Sequence, residues 1–118
     1  AYELCEGLVG SEICIRDSTF TFKTEAQMLL FKRIWEDNGT ALFDKLKKKG
    51  CTRFCLNQIW NVKGTFKMSV LFEYESPTSF KQCQNELENF TKNLMKELQA
   101  ADPVIEASRN IVLQDLRV

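Results

Sequence analysis

Five cysteines, Cys5, Cys14, Cys51, Cys55 and Cys83, have the widest chemical range in this sequence. A cysteine sulfur can bridge, ligate a metal or act as a nucleophile, and its neighbours decide which. Nucleophilic use needs a nearby base. The chain contains no histidine, which excludes Cys-His and Ser-His-Asp constellations and every imidazole metal site. Metal use needs closely spaced pairs. No Cys-x-x-Cys occurs, and Cys51-x-x-x-Cys55 on an extended segment spaces its sulfurs badly for one ion. No metal or cofactor site is expected.

Bridging remains, and all five cysteines are disulfide candidates. An odd count allows two bridges with one free thiol, one bridge with three thiols, or an intermolecular bridge that makes a homodimer. If residues 51 to 56 are extended, Cys51 and Cys55 lie about 13 Å apart at ~3.3 Å per residue, beyond the ~7 Å limit between bridged Cα atoms. They should therefore have different partners. Cys83 falls on the apolar face of a predicted helix, either as a small buried hydrophobe or as a tie from helix to sheet.

Other reactive groups give less. Glu73 and Glu75 share a strand face and could divide acid-base work, but charges on an exposed strand ordinarily keep it soluble. The five glycines are scattered, so no phosphate-cradling loop exists. Lys45, Lys47, Lys48 and Lys49 precede Gly50 and read as cations at the negative end of a helix dipole rather than as an anion patch. Two N-x-T tripeptides, Asn38-Gly39-Thr40 and Asn89-Phe90-Thr91, make Asn38 and Asn89 glycosylation candidates. With the cysteines they predict a secreted, extracellular protein.

Sixteen Lys and Arg balance sixteen Asp and Glu, so no strong field draws nucleic acid or an anionic membrane. No apolar run reaches the ~20 residues of a spanning helix, and any leader is expected to precede Ala1. The 118 residues suit a single globular domain, 1–118, with an irregular lead-in over 1–11 fastened by Cys5.

The elements that must position these groups follow from periodicity. Residues 13–23 are rich in β-branched and aromatic side chains and read as a first strand, with a bulge or turn at Asp17-Ser18. Thr24 and Gln27 form a capping box. Met28, Phe31, Ile34 and Trp35 follow at helical spacing, and Asp37-Asn38-Gly39-Thr40 breaks the pattern before Leu42, Phe43 and Leu46 resume it. Two helical segments are expected, with a loop that exposes Asn38. A hairpin spans Cys51 to Glu75 and turns at Asn61-Val62-Lys63-Gly64. Its second arm places Phe66, Met68, Val70, Phe72 and Tyr74 on one face. In its first arm Phe54, Leu56 and Trp60 share a side, opposite Cys51, Cys55 and Ile59. The lead-in or the C-terminal segment is expected to cover part of that second face.

Ser76-Pro77 starts a helix whose stripe runs through Phe80, Cys83, Leu87, Phe90, Leu94 and Leu98 for about five turns. Asp102-Pro103 ends it. A short extended piece covers Val104 to Ala107, and residues 111–118 form the closing strand. The order strand, helix pair, strand, strand, helix, strand is a ferredoxin-like or SEA-like α+β plait, an antiparallel sheet of about four strands with helices on one face.

Several unrelated families share that architecture, so each is tested by its own residues. An RNA recognition motif carries aromatics on the exposed face of its third strand; here Thr65, Lys67 and Ser69 occupy it. A self-cleaving SEA module carries Gly-Ser in its central hairpin; here Gly10-Ser11 is the only instance and lies outside it. The expectation is a small secreted, non-enzymatic recognition domain, stabilised by disulfides, that binds a protein partner. The alternatives are a carrier of a hydrophobic or lipid ligand, suggested by nine phenylalanines and two tryptophans, and a protease-inhibitor or propeptide-like module.

Overall fold

The computed structural model describes residues 13–118; the predicted lead-in, with Cys5, lies outside them. Four antiparallel strands, β1 (Cys14–Phe22), β2 (Cys51–Ile59), β3 (Phe66–Tyr74) and β4 (Val104–Ile111), form one sheet in the order β2-β3-β1-β4. Three helices, α1 (Glu25–Lys47), α2 (Pro77–Asn93) and α3 (Met95–Ala101), pack on one face. This is the expected plait. Its core joins the β3 stripe Met68, Val70, Phe72 and Tyr74 to Phe80, Cys83 and Leu87 of α2.

Local chemistry starts the helices where expected. Thr24 Oγ1 accepts from the Gln27 amide at 3.2 Å, and Ser76 Oγ accepts from the Ser79 amide at 3.1 Å with Pro77 in the first turn. Gly50 at φ 97° turns the chain out of α1, and its carbonyl accepts from the Glu75 amide at 2.9 Å. The nearby lysines make ordinary surface pairs, Lys47 with Asp44 at 3.1 Å and Lys49 with Glu86 at 3.4 Å.

Several expectations are corrected. The helix does not break at residues 37–40: α1 runs through them. Asn38 Nδ2 donates to the Ile34 carbonyl at 2.8 Å, which turns a loop-former into part of the helix, and Gly39 is buried with its Cα side facing the Phe54 ring. Asn38 is thus half-buried on a helix rather than on a loop, while Asn89 is exposed on α2. β1 pairs with β3 in unbroken register, without a bulge at Asp17-Ser18. The bulge lies in β2 between Cys51 and Arg53. It puts Cys51 on the buried face while Cys55 stays on the outer one, so the two do not share a side. Trp60 follows the end of β2 and is 86% exposed, not on the core side.

The closing strand is β4, eight residues starting at Val104; it pairs with β1 from Thr21↔Val104 to Cys14↔Ile111. Residues 113–118 are not strand. The five-turn helix is divided at Leu94 (φ −110°, ψ 19°) into α2 and α3. Cys51, Cys55 and Cys83 are free thiols. That overturns the two-bridge arrangement and the tie from helix to sheet; Cys83 takes the other reading, a buried hydrophobe whose thiol donates to the Leu46 carbonyl at 3.7 Å.

Candidate ligand-binding site

The sheet is wider than the helical layer. The helices pack mainly on β1, β2 and β3, whereas β4 pairs with β1 and leaves its helix-side Ile105 57% exposed. At this uncovered margin a cavity of about 460 Å³ opens between sheet and helices. Its floor is Arg16, Ser18 and Phe20 of β1 with Val70 and Phe72 of β3, and its roof is Phe31 and Trp35 of α1 with Leu87 and Phe90 of α2. Leu98, Gln99, Asp102, Pro103 and Ile105 form the rim. Two backbone features shape the rim. The division at Leu94 redirects α3, which Gln27 Nε2 holds against α1 by donating to the Ala100 carbonyl at 3.4 Å. Asp102, at φ 46°, then turns the chain sharply into β4.

The walls are aromatic. Trp35 packs on Phe90 with ring centroids 4.9 Å apart and on Phe54 at 5.3 Å, and Phe31 lies 4.6 Å from Phe20. Rings in such contact offer flat apolar faces to another ring system. Trp35 Nε1 and Tyr74 Oη are buried and have no hydrogen-bond partner among the described residues. Burial drives the Tyr74 phenol far above its usual pKa, against the pull of Arg16 and Arg109, so it stays a neutral donor.

None of the residues singled out from sequence chemistry lines this cavity. Glu73 accepts from Thr52 Oγ1 at 3.2 Å, and Glu75 from Ser79 Oγ at 3.5 Å. Among the described residues no group of three or more His, Cys, Asp or Glu is arranged to hold a metal ion. Arg16 and Arg109 were passed over. Their signal was in the alternation: Arg16 shares a face with Cys14, Phe20 and Phe22, and Arg109 with Ile105 and Ile111, each a cation at an apolar register position.

The buried thiols lie elsewhere in the core and have their own consequence. Burial pushes Cys51 and Cys83 from 9.0 up to about 11. The folded chain therefore keeps protons that the unfolded chain releases. Their contribution to stability is complete below about pH 8.5 and is lost as pH rises through 9 toward 11. The thermal midpoint should fall over that alkaline window, and Cys51→Ala with Cys83→Ala should flatten the profile. A profile identical in the double variant would refute the assignment.

Comparison with known proteins gives the fold its relatives. A family model described as a domain of unknown function, DUF6974, matches residues 14–112. No curated protein sequence matches the chain. Two crystal structures of dimeric ferredoxin-like proteins from uncultured marine organisms share the fold, one at 23% identity and TM-score 0.82 over 89% of this chain and 99% of its own. The other has 21% identity and TM-score 0.80 over 90% and 99%. A variant of SnoaB, a cofactor-independent oxygenase from Streptomyces nogalater, has 15% identity and TM-score 0.60 over 90% and 97%. The free thiols of Cys51, Cys55 and Cys83 overturn the expected recognition domain stabilised by two disulfides, and these fold neighbours include an oxygenase rather than a recognition, carrier or inhibitor module. No described helix is long and apolar enough to cross a membrane.

Proposed function

We propose, for a chain that belongs to the DUF6974 family of domains of unknown function, an enzymatic role: oxygenation, without a bound cofactor, of a planar electron-rich aromatic molecule held between sheet and helices. The observation that carries it is the aromatic-walled cavity of about 460 Å³ that opens between sheet and helices. A two- or three-ring aromatic fits such a volume. Metals and flavins usually carry O₂ chemistry. Where neither takes part, the electrons that reduce O₂ come from the substrate, which selects ionisable, electron-rich rings such as hydroxynaphthalenes. The likeness of fold to SnoaB supports this reading.

The test is O₂ uptake with a series of naphthalenediols, with product mass followed by mass spectrometry. Leu98→Trp fills the mouth of the cavity, so kcat/KM should fall about tenfold. Protein-independent uptake across the whole series would end this reading.

We further propose that the chain is a homodimer joined through the outer face of the sheet. On that face Leu71 is paired with Cys55 of β2 and Asp17 of β1, and the next row is Thr19, Ser69 and Asn57; the two similar marine proteins are dimeric. Leu71→Arg should convert the dimer to a monomer in sedimentation velocity, since a cation at the centre of a subunit interface is costly. A wild-type monomer at high micromolar concentration would contradict the assembly.

A further inference from the structure

Arg16 and Arg109 stand opposite each other in the β1–β4 register, on the helix side of the sheet. Two guanidinium groups on one patch repel, and each gives up hydration there. Both arginines are half-buried, and cations drawn partly out of water side by side are ordinarily matched by a carboxylate. Among the described residues neither arginine has an ion-pair partner. The carboxylate at the cavity rim, Asp102, pairs instead with Lys23 at 3.7 Å. Arg109 Nε is buried without a hydrogen-bond partner, and its guanidinium lies over the Phe80 ring, 5.5 Å from the centroid. Arg16 forms part of the cavity wall itself. Burial and, next, the charge of Arg109 lower its pKa, the signature of a cation held short of a negative neighbour.

We infer that the cavity takes an aromatic acid, whose carboxylate Arg16 binds from the cavity wall with Arg109 supplying the second positive charge behind it. The arrangement is complete only with a ligand. A planar carboxylate satisfies the Arg16 fork with paired charge-assisted hydrogen bonds and relieves the repulsion between the two arginines. The ring system then lies against Trp35 and Phe31. This inference rests on the cavity being the substrate site proposed above, but not on turnover.

Calorimetric titration with 2-naphthoate and with its neutral isostere 2-naphthamide isolates the charge. The acid should bind about tenfold more tightly than the amide, and Arg16→Met should abolish that preference. Equal affinities in the wild type overturn the inference. Binding of neither probe overturns the inference and the cavity reading together. A clear preference for the acid without O₂ uptake keeps the inference and removes only the oxygenase reading.

The thermal midpoint gives an independent arm. Arg16→Met preserves the apolar stem and removes an unpaired charge, so the empty variant should melt higher by about 3 °C. A lower midpoint would mean that Arg16 is satisfied inside the protein, and would overturn the inference.

Discussion

Replacing Phe31 with alanine should cost about 3–5 kcal/mol of folding stability. Phe31 is 1% exposed, and its ring centroid lies 4.6 Å from Phe20, 5.1 Å from Phe22 and 6.2 Å from Trp35. It is the residue through which α1 sits on β1, and three other rings lose contact when it is truncated. The cost has two parts, the lost transfer of the ring and the void that the helix cannot close over. Against a total of about 5–15 kcal/mol for a domain, this change leaves the protein near its unfolding threshold. The urea midpoint measures it, with an unchanged m-value showing that the same surface is still buried. Phe31→Leu fills more of the void and should lose about half as much. A loss below about 1 kcal/mol for alanine would mean that α1 is not seated on β1 as described.

Gly50→Ala should be the second most damaging change, at about 2–4 kcal/mol. Gly50 has φ 97°, and a Cβ there would lie 2.6 Å from Ser79 Cβ, closer still to Ser79 Oγ, and 3.0 Å from Glu75 Oε1. Ser79 is 5% exposed at the start of α2 and is held by Ser76, so it cannot swing clear. Gly64 provides the control. Its φ is 77° but a Cβ there meets nothing within 4 Å, so Gly64→Ala carries backbone strain alone, about 1 kcal/mol. The difference between the two variants is the collision between α1's exit and α2's entry. Ser79→Gly in the Gly50→Ala background should recover that difference and leave the strain. Equal midpoints for Gly50→Ala and Gly64→Ala would show that the two helix ends are not in contact.

Much of the fold was legible in the chain. β3 could be read because its alternation is strict from Phe66 to Tyr74, and both long helices could be started correctly because Thr24 and Ser76 act on amides three residues away. The errors share a cause. Asp37-Asn38-Gly39-Thr40 reads as a turn by local rules, and what holds it helical is the Asn38 bond to Ile34 together with the burial of Gly39 under Phe54 of another strand. Cys51 and Cys55 appear to share a side until the bulge after Cys51 shifts the count by one. β4 begins at Val104 because the partner it must match, β1, ends where the Asp102 turn delivers the chain.

The candidate site was the least legible part. Alternation placed Arg16 on an apolar face, but nothing local says that Arg109, far along the chain, lies opposite it, or that the helical layer stops short of β4. By itself the sequence determined β1, the β2–β3 hairpin, the starts of both long helices and the buried face of β3, since these depend on periods of two or 3.6 residues and on caps within one turn. The tertiary structure alone decided strand neighbours, the free state of Cys51, Cys55 and Cys83, the cavity with Arg16 in its wall, and the placing of Arg109 opposite Arg16 in the sheet. Those features arise from pairing β1 with both β3 and β4, and the strength of such distant pairings depends on how well whole faces fit rather than on any local run of residues.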